Sequence, residues 1–413
     1  MTNEVKNVPE LRFPEFSEEW EDNLVGNIFE FKNGLNKGKE YFGYGIPIVN
    51  FKDVFHNRGI KSEYLNGKVD VSEKELQNYS VRKGDVFFTR TSEIIEEIGY
   101  PTVMMDEIPK AVFSGFVLRA RPKKNSKLVD DKFKRYVFFT YSFRKEMITK
   151  SSITTRALTS GTAINKMKVI YPTSIEEQNK IGEFFSKLDR QIELEEQKLE
   201  KLEEQNKGYM QKIFSQELRF KDKNGNEYPE WEVIKLKDIL SERKEYASKI
   251  GNYPHATLST SGISLKSDRY NRDFLVKDKN KKYKVTIMND ICYNPANLKF
   301  GVITRNHIGS VIFSPIYITF EVNNAHSPLF IELLVTRNDF INRVRKYEEG
   351  TVYERMAVKP EDFLNYETKI PCLEEQEKIG DFFNKLDEVI NKQSQKIDEL
   401  KLRKQGFLQK MFV

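Results

Sequence analysis

Cysteine is almost missing from this chain. Its 413 residues include only Cys292 and Cys372, so no disulfide framework can be built. Histidine is nearly as scarce: His56, His255, His307 and His326 are dispersed, without the close His/Cys spacing of a zinc site. No metal site is therefore expected. No apolar run approaches the roughly 20 residues of a membrane span. The opening MTNEVKNVPE has no apolar core of a secretory signal. These absences point to a cytoplasmic protein with no membrane partner. The phosphate-cradling pattern Gly-x-x-x-x-Gly-Lys-Ser/Thr is also absent, which argues against nucleotide hydrolysis by this chain.

The length suggests two or three domains at roughly 100–200 residues each. The net charge of +6 is unevenly placed. Residues 1–170 carry 28 basic and 23 acidic side chains, and residues 215–370 carry 25 and 21. Residues 171–214 carry 7 and 10, and residues 371–413 carry 8 and 8. The positive excess thus falls in two blocks, where patches that neutralise phosphates would belong.

The segments between are repeats of each other. EEQNKIGEFFSKLD at 176–189 returns as EEQEKIGDFFNKLD at 374–387, and over 39 aligned positions 19 are identical. Apolar residues step by fours and threes, as on a coiled-coil seam. The first copy offers Ile181, Phe185, Leu188, Ile192, Leu199 and Leu202, then Tyr209 and Ile213. The second offers Ile379, Phe383, Leu386, Ile390, Ile397 and Leu400, then Phe407 and Met411. Polar residues interrupt both seams at matching places: Glu195 and Gln393, then Asn206 and Lys404. Such a helix is roughly 58 Å long at 1.5 Å per residue, so its stripe needs a partner of similar length. The other copy is the nearest candidate, and an antiparallel pair related by a pseudo-two-fold axis is expected. Pro172 and Pro371 precede the helices, and Ser174 with Glu177 fits a capping box.

The rest of the chain repeats faintly. ELRF occurs at 10–13 and 217–220, each time followed by a glutamate-flanked tryptophan, Trp20 or Trp231. VRKGDVFFTR (81–90) echoes VTIMNDICYNP (285–295), a turn aspartate before an apolar strand. FSGFVLRAR (113–121) echoes FSPIYITFE (313–321), an alternating strand. Residues 133–148 and 330–344 each read as one amphipathic helix. KDKNGNEYPEW (221–231) is a polar, turn-rich linker. The whole unit is duplicated. The expected domains are 1–170 and 218–370, with spacer helices at 171–217 and 371–413.

Several short patterns hint at enzymes without completing a site. Tyr41-x-Gly43-x-Gly45 resembles an S-adenosylmethionine loop, but it runs into the strand Ile46-Pro47-Ile48-Val49 instead of opening a helix. NPAN (294–297) lacks the aromatic that stacks on a flipped base. Glu230 and Glu242-x-Lys244 loosely fit a nuclease, though a charged helix face after a strand accounts for them better. No catalytic residue is assigned. What remains suits nucleic-acid reading. Thr89, Arg90, Thr91 and Ser92 follow the apolar strand of the first unit. Asn294, Asn297 and Lys299 stand at the matching place in the second. Arginine can bond a guanine edge, asparagine an adenine edge, and hydroxyls either. Arg156, Arg269, Arg272, Lys281, Lys282 and Arg345 lie in basic stretches mixed with polar and aromatic residues, suited to holding phosphates.

The ordered combination of ELRFPEF…EEW, YGIPIVNFKDV (44–54), the GD-apolar strand and the P-x-x-x-EEQ-x-KI helix opening resembles the specificity subunits of type I restriction-modification systems. The resemblance covers nearly the whole chain and recurs in both halves. It implies an α+β fold: two α/β target recognition domains joined by two long antiparallel helices that form an intramolecular coiled coil. It further implies a non-catalytic protein in which each domain reads one half of a split double-stranded DNA site. The implied partners are two methyltransferase subunits and restriction subunits, which use S-adenosylmethionine, ATP and Mg²⁺. Phe184 and Phe382, off the seam, are candidate docking points for those partners. A stand-alone DNA enzyme and a coiled-coil adaptor without a DNA role are the competing readings.

Overall fold

The computed structural model describes residues 7–153, 155–248, 253–266, 282–347 and 357–413. The chain divides into two compact units. The first comprises Met1–Lys198 with Gln393–Val413, and the second Leu199–Lys392. Two long helices, Ile175–Phe214 and Leu373–Lys410, each contribute a segment to both units. The fold class is α+β, as the sequence led one to expect.

In the first unit, the strand Val86–Thr89 lies inside a five-stranded sheet. The order is Phe29–Asn33, Val117–Pro122, Val86–Thr89, Pro101–Met104 and Gly59–Ile60. In the second unit, a four-stranded antiparallel sheet repeats this plan as Leu240–Glu242, Ile318–Val322, Ile291–Tyr293 and Ile303–Arg305. A separate two-stranded clasp precedes each long helix: Glu21–Leu24 on Lys168–Tyr171, and Glu232–Lys235 on Glu367–Ile370. The two aspartates expected at turns are buried and paired. Asp85 accepts from Arg121 Nε and Nη2 at 2.7 Å, and Asp290 from Arg243 Nε at 2.7 Å.

The repeated sequence motifs meet at the start of each long helix. In the first unit, Arg12 Nε and Nη2 donate to the Glu177 carboxylate at 2.7 and 2.8 Å, and Trp20 Nε1 donates to it at 3.2 Å. In the second, Arg219 Nε and Nη2 donate to Glu375 at 3.2 and 2.6 Å. Phe13, next to Arg12, packs edge-on against Phe184, and Phe220, next to Arg219, against Phe382. The neighbouring glutamine ties the helix to the loop behind it. Gln178 Nε2 donates to the carbonyls of Lys127 and Pro172, while its oxygen accepts from the amides of Val129 and Asp130. Gln376 likewise donates to Pro371 O and accepts from Ser327 N. Glycine follows where another helix begins. A Cβ on Gly182 would lie 2.6 Å from Phe133 N, and one on Gly380 2.8 Å from Leu329 Cβ.

Both units contain an antiparallel helix pair. In the first, Glu195 meets Gln393 and Lys396, Asp189 meets Lys404, and Phe184 meets Phe407. Numbers fall on one helix as they rise on the other. In the second, Asn206 donates to Asp387 at 3.0 Å and Tyr209 packs on Phe382. Ile181, Phe185, Ile192, Ile379, Phe383 and Ile397 are buried, while Leu188, Leu199, Leu202, Leu386, Ile390 and Leu400 are half-buried along the same stripe. The seam polar residues find partners instead of leaving gaps. Burial and the nearby Arg58 pull the Lys404 ammonium below its usual range, and burial pushes the Asp387 carboxyl up.

Four expectations change. Residues 133–148 form two helices, Asp131–Val137 and Tyr141–Lys150, because Thr140 caps a new N-terminus by accepting from Phe143 N. Residues 330–344 likewise divide into Pro328–Thr336 and Asn338–Val344, with Arg337 extended between them. The charged helix expected near Glu242 is the strand Leu240–Glu242, whose carboxylate pairs with buried Lys284. At the first long helix, Ser174 does accept from Glu177 N, but the Glu177 side chain leaves the cap for Arg12 and Trp20.

The Glu177 side chain is 2% exposed and that of Arg12 is 10%. Removing one partner of such a pair strands a buried charge, at a cost of roughly 3–5 kcal/mol. Arg12→Ala is therefore expected to destabilise the first unit and Arg219→Ala the second. Scanning calorimetry with hydrogen exchange, which reads the units separately, checks this. Equal loss in both units from either substitution would contradict it.

Candidate nucleic-acid interface

The edge of each central sheet that carries polar residues is set by strand register. Thr89 faces Val117 in the first unit, so the segment from Arg90 onward lies beside the turn before Val117. Tyr293 faces Ile318 in the second, which puts Asn294 beside the turn before Ile318.

In the first unit this edge forms a concavity of about 530 Å³ lined by Phe51, Phe55, Thr91, Ser92, Ile94, Phe116 and Arg156, with Glu93 and Glu97. Thr91 and Ser92 pair with Leu158 and Ala157 of a small sheet, which brings Arg156 alongside them. Arg156 is exposed and lies 3.2 Å from Glu93. Hydroxyls, a guanidinium and carboxylates on an apolar floor can donate to and accept from base edges. The two glutamates repel phosphates, so this surface suits bases better than backbone.

Thr89 and Arg90 do not serve as expected. Thr89 is fully buried and its hydroxyl accepts from Tyr100 N at 2.9 Å. Arg90 Nη1 donates to Gly115 O at 2.9 Å and pins the adjacent turn. Thr89 supports the edge from within the sheet, and half-buried Arg90 braces the turn beside it. Asn294 is also turned inward. It is buried, and its side-chain oxygen accepts from Ala296 N at the start of the short helix Pro295–Phe300. Asn297 is half-buried on that helix. Lys299 is exposed, its ammonium 5.1 Å from the Phe300 ring. Lys282 is exposed on the strand Lys282–Thr286, and Arg345 is half-buried in the turn Arg345–Tyr347. Arg269, Arg272 and Lys281 lie outside the described residues. Phe184 and Phe382 are not free docking points, because each is packed among aromatic neighbours in its own unit. Sequence reasoning missed Phe51, Phe55, Ile94 and Phe116, which pattern alone does not separate from core residues.

Not every cation is available to a ligand. Arg305 Nε donates to Glu332 at 3.0 Å and His307 Nε2 lies 2.9 Å from the same carboxylate. Burial opposes the charge on Glu332, but the His307 and Arg305 contacts outweigh it and hold the carboxyl below the usual glutamate range. A folded value below the unfolded one stabilises the protein at neutral pH. That contribution is lost as pH falls through the usual glutamate range to the lower folded value. Glu332→Gln is expected to flatten this limb of an acid-unfolding curve for the second unit. An unchanged limb would contradict the assignment. Arg90→Ala should leave the first unit folded but raise hydrogen exchange at the amides of the 114–116 turn. Unchanged exchange there would mean that the turn does not depend on Arg90.

Among the described residues, no group of three or more His, Cys, Asp and Glu side chains is placed to hold a metal ion. Nor is any described helix long and apolar enough to cross a membrane. Residues 17–204 match the type I restriction modification DNA specificity domain. The chain is 22% identical over 434 aligned positions to the MjaVIII specificity subunit of a type I restriction enzyme from Methanocaldococcus jannaschii, covering 96% of this chain and 92% of that protein. It is 26% identical over 244 positions to the MjaX specificity subunit of the same organism, covering 56% of this chain and 55% of that protein. The fold resembles the crystal structure of a type I restriction-modification S subunit from M. genitalium, with a TM-score of 0.57 at 14% identity over 98% of this chain and 99% of that one. It also resembles a chain from a structural study of assembly and conformational transition in a type I system, with a TM-score of 0.54 at 13% identity over 95% of this chain and 97% of that one. In sequence over residues 17–204 and in fold over nearly its whole length, the chain is similar to the specificity subunits of type I restriction-modification systems.

Proposed function

We propose that each unit reads one half of a bipartite double-stranded DNA site, and that the chain is the non-catalytic reader of a complex in which other subunits do the chemistry. One observation carries this reading: the two units share a framework around the long helices, while the residues at the ends of their central strands are unlike. The Arg–Glu pair, the buried glutamine, the glycine contact and the two-stranded clasp recur in both. The sheet edge presents Thr91, Ser92 and Arg156 in one unit and Asn297 and Lys299 in the other. A constant frame with unlike edges suits a DNA site of two unlike halves.

On this reading, residues 1–170 and 218–370 are the target recognition domains, and 171–217 and 371–413 are spacers that set the separation of the half-sites. Two methyltransferase subunits and the restriction subunits would assemble on the chain, bringing S-adenosylmethionine, ATP and Mg²⁺. The relatives' names as specificity subunits of restriction enzymes support that assignment. Lys282 and Lys299 would hold phosphates, and Arg156, beside Glu93, would approach bases from the rim.

Replacing residues 18–170 by the corresponding segment of another specificity subunit is the direct test. Methylome sequencing of cells carrying the chimera and its partner subunits should find one half of the methylated motif changed and the other retained. A change in both halves would contradict two independent readers. Binding of the assembled complex to its motif should also weaken steeply with salt, log K falling linearly with log salt concentration. Salt-independent binding would count against phosphate contacts.

A further inference from the structure

We infer that Phe116 and Ile316 are apolar base contacts, one in each unit, that help to set which half-site that unit reads. This rests on the proposed DNA-reading role and adds a residue-level mechanism to it.

Both residues are large, apolar and strongly exposed, Phe116 at 67% and Ile316 at 61%. A single exposed apolar side chain is ordinary on a protein surface. Three observations set this pair apart. The first is position. Phe113-Ser114-Gly115-Phe116-Val117 and Phe313-Ser314-Pro315-Ile316-Tyr317 align without a gap, and each turn delivers a central strand of its own sheet. In both, the amide that follows the exposed residue donates to the serine carbonyl at 3.1 Å: Val117 N to Ser114 O, and Tyr317 N to Ser314 O. The same turn thus presents an apolar side chain twice.

The second is rigidity. Phe116 N donates to Ser114 Oγ at 3.2 Å, Arg90 Nη1 grips Gly115 O, and Arg90 N donates to Phe116 O at 3.3 Å. Gly115 is pressed on Asn36, where an added Cβ would lie 1.9 Å from the side-chain oxygen. In the second unit, Phe313 and Tyr317, at the two ends of the turn that carries Ile316, pack edge-on with ring centroids 5.2 Å apart. A side chain on a fixed turn loses little freedom on binding, as expected of an anchor residue.

The third is company. Phe116 shares its concavity with Thr91, Ser92 and Arg156, groups that can bond base edges. Ile316 stands on the turn next to Asn294 and the helix carrying Asn297 and Lys299. Thymine offers a methyl group in the major groove, and apolar side chains read it by contact. Alternatively, such a residue can slide against a partly opened base step. In both geometries the occupant is the apolar surface of a base, flanked by hydrogen-bonding groups.

The test compares methylomes and methylation rates for the full complex containing wild type, Phe116→Ala, Phe116→Leu or Ile316→Ala. Phe116→Ala should lower methylation of the wild-type motif roughly tenfold or more, or relax it, at positions in one half only. Ile316→Ala should do the same in the other half, and Phe116→Leu should retain most of the activity. Thermal midpoints should stay at the wild-type value, since both side chains are exposed. Wild-type motif and rate in both alanine variants would overturn the inference. So would a uniform loss across both halves with poorer recovery of methyltransferase subunit, which would mark a protein contact. If the wild-type complex methylates no defined motif, the DNA-reading role itself fails, and that outcome is distinct from either of these.

Discussion

The structure depends on a buried carboxylate held by an arginine at the start of each long helix. Glu177 and Glu375 sit in the first turn, beside the helix end where backbone N–H groups favour negative charge. Each is nearly inaccessible to water and accepts two hydrogen bonds from one guanidinium. The arginine comes from the head of the unit, so the pair joins the first residues of a domain to the helix that leaves it. The adjacent phenylalanine and the buried glutamine close the same joint from two other sides. A helix held in this way keeps its direction relative to its own domain, which a flexible linker cannot do. In the proposed role, that stiffness sets where each reading edge points.

The sheet is placed by this joint and in turn places the edge. Its middle strands are buried on both faces, so the residues that vary must lie where strands end. There the polar groups divide into two kinds. Thr89, Arg90 and Asn294 hold backbone groups and shape the rim. Thr91, Ser92, Arg156, Asn297 and Lys299 remain nearer to solvent. This division lets one framework carry different edges, because changing a rim residue does not disturb the buried pairs behind it.

Much of this was legible in the sequence. The four-three spacing marked the helix stripe because a coiled seam needs that period, and the duplication showed which segments were framework. The polar residues at the seam, Glu195 and Asn206 among them, could be located but not paired, since their partners come from the other helix. ELRF, the tryptophan and EEQ were each visible, but their meeting was not, because 157 residues separate Trp20 from Glu177. Thr89 was misplaced for a physical reason. A strand covered on both faces loses the in–out alternation from which exposure is read. The break at Thr140 was hidden by an apolar pattern that continues across it.

The central claim is that one chain carries two separate DNA readers on a common frame. Hydroxyl-radical footprinting of the assembled complex on its methylated motif tests it most directly. The account predicts two protected patches with an unprotected gap between them, the gap being independent of base sequence. Protection of a single patch, or of none, would contradict it.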